Sequence, residues 1–243
     1  MPTKDQTVLV VGATSEIGAA IAHRFAEEGC ALQLAGRNAA RLDAVAAELH
    51  ELADGRVSTH FCDVLGPEGG SAFIDDLEPL PDIAVCVVGL YGRASIGEEA
   101  LRVMRTNYVG PALLLGSIAA RFESRGHGVL VGISSVSGER GRAHNAVYGS
   151  AKSGFTALLS GLRNRLHGAG VHVVTVKAGY VNTRASEGLS RPRSLTASPQ
   201  DVAEAVFRAI RRRRDVVYVA GIWRLVMWAV RAVPERWFKR LEL

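Results

Sequence analysis

Seven short runs of β-branched and other apolar residues recur along the chain, and longer amphipathic stretches separate most of them. The runs are Val8–Val11, Leu32–Ala35, Val57–Phe61, Ile83–Val88, Val129–Ile133, Val171–Val176 and Val216–Val219. Ile17–Glu28, Ala39–Leu52, Glu98–Phe122, Val147–Leu166 and Pro199–Arg213 read as helices between them. Uninterrupted apolar runs mark strands buried on both faces, as in a parallel sheet sandwiched by helices. The pattern predicts an α/β, doubly wound, Rossmann-like fold: one seven-stranded parallel sheet with helices on both faces. Ser198-Pro199 offers an N-cap hydroxyl and a first-turn proline to the last of these helices. Gly221 reads as the end of the last strand. No linker, repeat or low-complexity segment divides residues 1–243, so the chain reads as one domain.

Charge is spread unevenly along that domain. Residues 1–183 hold 16 Lys and Arg against 18 Asp and Glu, whereas residues 184–243 hold 13 against six. All of the net charge of +5 therefore lies in the last quarter. A uniformly basic nucleic-acid binder would not divide that way, and Arg211–Arg214 reads as a solvated turn favourable to a helix dipole. At 48% apolar, the chain is not a disordered tail protein. Cys30, Cys62 and Cys86 form no paired spacing and read as buried free thiols of a reducing compartment. There is no metal-ligand pattern. No apolar run reaches the ~18–20 residues of a membrane span, and no leader pattern opens the chain. The expected location is cytoplasmic.

The chemistry sits on the strand ends. The first strand runs into Gly12-Ala13-Thr14-Ser15-Glu16-Ile17-Gly18 and a helix, a turn that presents free N–H groups to a pyrophosphate. A tight β-α turn without ligand has the same appearance. Glu16 stands where a glycine is usual, and its carboxylate is expected to point away or to cap the helix. After the second strand, Gly36-Arg37 replaces the acid that a ribose 2′-hydroxyl would want with a cation suited to a 2′-phosphate. That favours NADP(H) over NAD(H), unless Arg37 merely pairs with a helix acid. Asp63-Val64 ends the third strand, where it can contact an adenine or cap the next segment.

Tyr148 and Lys152 lie four apart on a helix and share a face. A neighbouring ammonium stabilises a phenolate, so Lys152 is expected to lower the phenol's pKa. Such a tyrosine exchanges a proton with a carbonyl or alcohol while a hydride moves. Ser135, thirteen residues earlier, can polarise the same oxygen. Tyr-Lys pairs are common on surfaces, but this chain has only four lysines (Lys4, Lys152, Lys177 and Lys239) against 25 arginines. A lysine here looks chosen for its point charge.

In this order Gly12…Gly18, Asp63, Asn107, Ser135, Tyr148, Lys152 and Gly179…Thr183 resemble the short-chain dehydrogenase/reductase family over essentially the whole chain. The resemblance implies a nicotinamide cofactor and a catalytic set of Asn107, Ser135, Tyr148 and Lys152. It implies that Asn107 kinks its helix and organises a proton relay, and that Lys152 holds the ribose. Cofactor contacts are expected from Gly12, Thr14, Ser15, Ile17, Gly18, Arg37, Asp63, Val64, Gly89, Tyr148, Lys152, Gly179, Val181 and Thr183, with Thr183 on the carboxamide. Three departures stand out: Glu16, Cys86-Val87-Val88-Gly89 for Asn-Asn-Ala-Gly, and Lys177-Ala178-Gly179 for a Pro-Gly. A homodimer or homotetramer is expected, and no nucleic-acid partner.

Within the family, Thr14-Ser15-Glu16-Ile17-Gly18, Ser137-Gly138-Glu139-Arg140, Asn145…Val147-Tyr148-Gly149-Ser150 and the ending Trp223-Arg224…Phe238-Lys239-Arg240-Leu241 resemble the keto-reductases that partner decaprenylphosphoryl-ribose 2′-epimerase. That implies a polyprenyl-phosphate-linked 2-keto-pentofuranose as substrate. A small ketone or a 3-ketoacyl compound is the alternative, and a non-catalytic dinucleotide sensor is the rival from another class. Residues 184–197 are the expected substrate loop, with Arg184, Arg191 and Arg193 as phosphate ligands or solvated charges. The basic, apolar tail at 222–243 interleaves Trp and Arg. It suits a membrane interface or anionic lipid, or else a helix packed over the substrate pocket or a subunit interface.

Overall fold

The apolar runs become the strands of one parallel sheet, and side-chain alternation along each strand divides the core in two. A computed structural model describes residues 4–92, 96–184 and 192–241. The chain runs through β1 (Thr7–Val11), α1 (Glu16–Ala26), β2 (Ala31–Gly36), α2 (Ala39–Leu49), β3 (Val57–Phe61) and β4 (Ile83–Cys86). It continues with α3 (Gly97–Met104), α4 (Gly110–Arg125), β5 (Gly128–Ser135), α5 (Ala146–Leu166) and β6 (Val171–Ala178). Then come β7 (Tyr180–Val181), β8 (Thr196–Ala197), α6 (Pro199–Arg211), β9 (Val216–Tyr218), α7 (Ile222–Ala232) and α8 (Glu235–Phe238).

The main sheet has the order β3-β2-β1-β4-β5-β6-β9, every pair parallel. Strand order reverses between β1 and β4, so their carboxyl ends flank a crevice of the kind that receives ligands in such sheets. Val8 and Val10 pack with Ile21, Phe25 and Phe207 on one face, while Leu9 and Val11 pack with Leu114, Phe122 and Phe155 on the other. All three cysteines are buried free thiols. Ser198 caps α6 through a complete capping box with Asp201.

Three expectations change. The single helix over Glu98–Phe122 is two helices, α3 and α4, joined by a π-helical turn at Arg105–Val109. Inside that turn the Asn107 amide donates to Val103 O (2.9 Å) and Leu90 O (2.7 Å) and accepts from Leu90 N. A side chain that takes the carbonyl four residues back disturbs the regular ladder, which is why the turn forms there. The last strand stops at Tyr218, and Gly221 is the residue before α7 rather than the strand's end. The segment after Thr183 is bracketed by a small second sheet that pairs β7 with β8, which no apolar pattern announced.

The tail folds back onto the molecule. Trp223 and Met227 of α7 form a third buried cluster with Val136, against which Tyr180, Leu195 and Tyr218 pack. Arg140 secures it: Nη1 donates to the carbonyls of Val230, Arg231 and Val233, and Nη2 bonds Glu235 at 2.7 Å. Its guanidinium lies 3.9 Å from the centroid of the Phe238 ring. Beside it, buried Glu139 pairs with Lys177 (3.1 Å) and accepts from the Tyr218 hydroxyl (2.7 Å). The unusual Lys177 is thereby accounted for, since it joins β6 to the segment after β5. No helix of the described residues is long and apolar enough to cross a membrane.

Candidate active site

The crevice between β1 and β4 opens into two adjoining cavities. Gly12 makes the turn with φ +89°, a conformation that glycine adopts without strain. Ser15 caps α1, accepting from Gly18 N at 3.0 Å while its own hydroxyl donates to Gly12 O. A Cβ on Gly18 would stand 2.2 Å from Gly12 O, so only glycine lets α1 lie this close to β1. Glu16 neither points away nor caps α1. It lines the larger cavity and accepts from the backbone N–H of Arg184 at 2.8 Å, two-thirds of the chain away, with the Arg184 guanidinium 3.8 Å from its other oxygen.

The smaller cavity, about 180 Å³, is lined by Gly12, Gly36, Arg37, Val64, Arg102 and Thr106 among others. Arg37 is exposed at its edge and makes no ion pair with a helix acid among the described residues. Thr106 Oγ1 is buried there without a hydrogen-bond partner. That orphaned hydroxyl, the glycine cradle and the first-turn N–H groups of α1 that the Ser15 cap leaves unpaired fit a dinucleotide. Asp63 does not line the cavity. Its carboxylate accepts from Leu65 N (3.0 Å), which turns the chain after β3.

The larger cavity, about 550 Å³, brings together Thr14, Ser15, Ile17 and Gly89 from one end with Gly179, Val181 and Thr183 from the other. Ser135, Tyr148 and Lys152 lie between them. Asn107 lies behind this wall, its Oδ1 3.3 Å from where a Cβ of Gly89 would be. Lys152 is buried and donates from Nζ to Ile133 O at 3.0 Å. Burial lowers its pKa to about 8. Tyr148 differs from expectation: burial pushes its phenol up to about 12, and only a hydrogen bond from Ser135 acts against the rise. Lys152 does not depress it, since an ammonium with a pKa of about 8 has lost its charge before the phenol titrates. In this fold Tyr148 is thus a protonated phenol at neutral pH, the form that donates.

Of the proposed anion ligands, Arg184 lines the cavity but is paired with Glu16, and Arg193 is exposed and lies off the cavity. Arg191 lies outside the described residues. The walls also hold Tyr91, Arg142 and Tyr180, which carried no motif signal, and Trp223 of the tail, as the reading of a helix packed over the pocket expects. Tyr91 meets Tyr148 edge-on with centroids 5.2 Å apart. Trp223 sits against Gly179, where a Cβ would fall 2.0 Å from Nε1, and donates to Leu195 O. Arg142 lies between Ser135 and Tyr148, and that position in sequence is the one hint that could have found it.

A parallel sheet in this order, with a polar triad facing a crevice at its switch point, defines a dinucleotide-binding oxidoreductase architecture. A profile of the short chain dehydrogenase family matches residues 6–194. An uncharacterized oxidoreductase of Streptomyces coelicolor is 38% identical over 97% of this chain and 96% of its own length. Among solved structures, a short-chain dehydrogenase from Sphingobium yanoikuyae in complex with NADPH superimposes with a TM-score of 0.81 at 26% identity, covering 95% and 97% of the two chains. The actinorhodin polyketide ketoreductase with NADPH gives 0.78 at 28% identity, covering 91% and 98%. The chain belongs to the short-chain dehydrogenase family and is an oxidoreductase.

Proposed function

We propose that the protein reduces a carbonyl to a secondary alcohol with a nicotinamide dinucleotide. The observation that carries this is Tyr148, hydrogen-bonded by Ser135 and beside buried Lys152 in the wall of a cavity large enough for a cofactor end and a substrate. Gly12, Thr14, Ser15, Ile17 and Gly18 would hold the pyrophosphate, Val64 the adenine, and Gly89, Gly179, Val181 and Thr183 the nicotinamide end. When bound, the reduced cofactor supplies the hydride that the carbonyl carbon accepts. Tyr148 donates its Oη proton to the carbonyl oxygen, so that hydride and proton together complete the two-electron reduction. Ser135 Oγ polarises the same oxygen. Lys152, a buried cation below pH ~8, holds the ribose and keeps positive charge behind the phenol. Asn107 keeps the Gly89–Leu90 backbone against this group. Tyr148→Phe is expected to lower kcat by at least about a thousandfold with cofactor Kd within threefold of wild type. A variant that turned over at a near-wild-type rate would overturn the mechanism.

Arg37, exposed at the edge of the smaller cavity, supports NADP(H) as the preferred form, as do the NADPH complexes of the two structural relatives. Arg37→Ala is expected to raise KM for NADPH about tenfold and to leave that for NADH within twofold, measured by absorbance at fixed ketone. Equal losses would remove the assignment.

The cavity is walled by aromatic and apolar side chains with cations at its rim, which supports an amphiphilic carbonyl compound. A polyprenyl-phosphate-linked keto-sugar meets that description if its lipid lies along the outer face of α7 and α8. There Leu225, Trp228 and Trp237 are exposed beside Arg224 and Arg236. Co-sedimentation with anionic vesicles, lost in a Trp228→Ala/Trp237→Ala variant, tests that contact. Assembly into a homodimer or homotetramer is read from the exposed Leu101 on α3, Val109 in the π turn and Leu113 on α4, and is checked by light scattering.

A further inference from the structure

We infer that the substrate carries an anionic group, a carboxylate or a phosphate, and that Arg142 receives it. The inference rests on the reading that a carbonyl is reduced at Tyr148. Arg142 lines the same cavity as Ser135, Tyr148 and Trp223, six residues before Tyr148 in the chain. Its guanidinium is poorly satisfied for a half-buried one. Nε is buried with no hydrogen-bond partner, and Nη2 reaches only the Met227 thioether at 3.5 Å, a weak acceptor. No carboxylate among the described residues forms a salt bridge with it.

Arg140, two residues earlier, shows what this segment does with an arginine that serves structure. It takes three carbonyls, a carboxylate and an aromatic face. Arg184, the other cation on this side of the cavity, is matched by Glu16. Arg142 alone of the three lines this cavity with neither a carbonyl nor a carboxylate partner among the described residues. A buried N–H without an acceptor costs about 1–3 kcal/mol, and a ligand oxygen removes that cost. Two parallel donors of a guanidinium fit the two oxygens of a carboxylate or phosphate. The walls between the two ends are Tyr91, Tyr180 and Trp223, so the class is a ketone with a flat or apolar body and an anionic end.

The test uses the full chain and three ketones of one skeleton: 4-acetylbenzoate, 4-acetylphenyl phosphate and the neutral methyl 4-acetylbenzoate. Wild type is expected to favour at least one anionic ketone over the ester by tenfold or more in kcat/KM, and the better of the two identifies the anion. Arg142→Gln should erase the preference through KM, and Arg142→Lys should restore part of it, with circular dichroism checking that both variants fold. An absent preference in wild type, or one kept in Arg142→Gln, would overturn the inference. Calorimetric titration of the same compounds, without turnover, separates the two proposals. Arg142-dependent anion binding without reduction sustains this site while sinking the reductase reading. Reduction with no dependence on Arg142 does the reverse.

Discussion

The two ends of the cavity are built on different principles. At the dinucleotide end the phosphate turn is shaped by local contacts: Gly12 turns, Ser15 caps, and Gly18 lets the helix close on the strand within seven residues. At the substrate end almost every contact is distant. Gly179 receives Trp223, Glu16 receives Arg184, Arg142 meets Met227, and Glu139 ties Lys177 to Tyr218. A site made of local geometry tolerates little change of residue. One made of packed side chains can be retuned by exchanging the side chain that fills it.

Gly18→Ala is the largest expected break at the rigid end. The added methyl has no room beside Gly12 O and must push α1 off β1, costing about 2–3 kcal/mol of stability. Cofactor affinity should fall about a hundredfold, read by fluorescence titration. Gly161 is the control: it lies in α5 with open space around it, and its alanine variant should gain up to about 1 kcal/mol. Wild-type cofactor binding in Gly18→Ala would dissolve the contrast between the ends.

Lys152, where the ends meet, sharpens the comparison through pH. Its folded pKa is depressed from 10.5 to about 8, so below pH 8 the native state keeps a buried ammonium that the unfolded chain solvates freely. Between pH 8 and 10.5 the unfolded state holds the extra proton, and the native state gains relative stability as pH rises. Lys152→Met should therefore be more stable than wild type at pH 7 by about 2 kcal/mol, allowing for the orphaned Ile133 carbonyl. Urea unfolding should show that advantage shrinking toward pH 10.5, and a gap independent of pH would mean the charge is not the cause.

Gly179→Ala probes the packed end with the smallest expected effect. Its methyl falls on the Trp223 indole, which can shift with α7. KM for the ketone should rise about tenfold and cofactor Kd less, by about threefold, because the displaced indole lines the substrate wall while Gly179 itself meets only the nicotinamide end. Parallel losses in both would show that the two ends are one mechanical unit.

Much of this site was legible before any coordinates. The i, i+4 spacing put Tyr148 and Lys152 on one helix face, the capped glycine turn placed α1, and the apolar runs gave the sheet. What escaped has a common cause. The kink at Asn107 was expected, but its π-turn form needs Leu90, 17 residues earlier on the far side of α3. The raised Tyr148 pKa needs the burial that only assembled walls provide. Asp63 turned out to serve its own loop, an alternative that spacing alone left open.

By itself the chain's order of residues determined the α/β architecture, the glycine turn and the Ser135, Tyr148 and Lys152 set, since strand burial, capping and helix pitch act over a few residues. Tertiary structure decided where the basic tail goes, which arginine is satisfied and which faces the cavity, and whether Glu16 turns toward a phosphate site or a cation. Those outcomes rest on pairing and packing energies between residues up to 168 positions apart, which no local window contains.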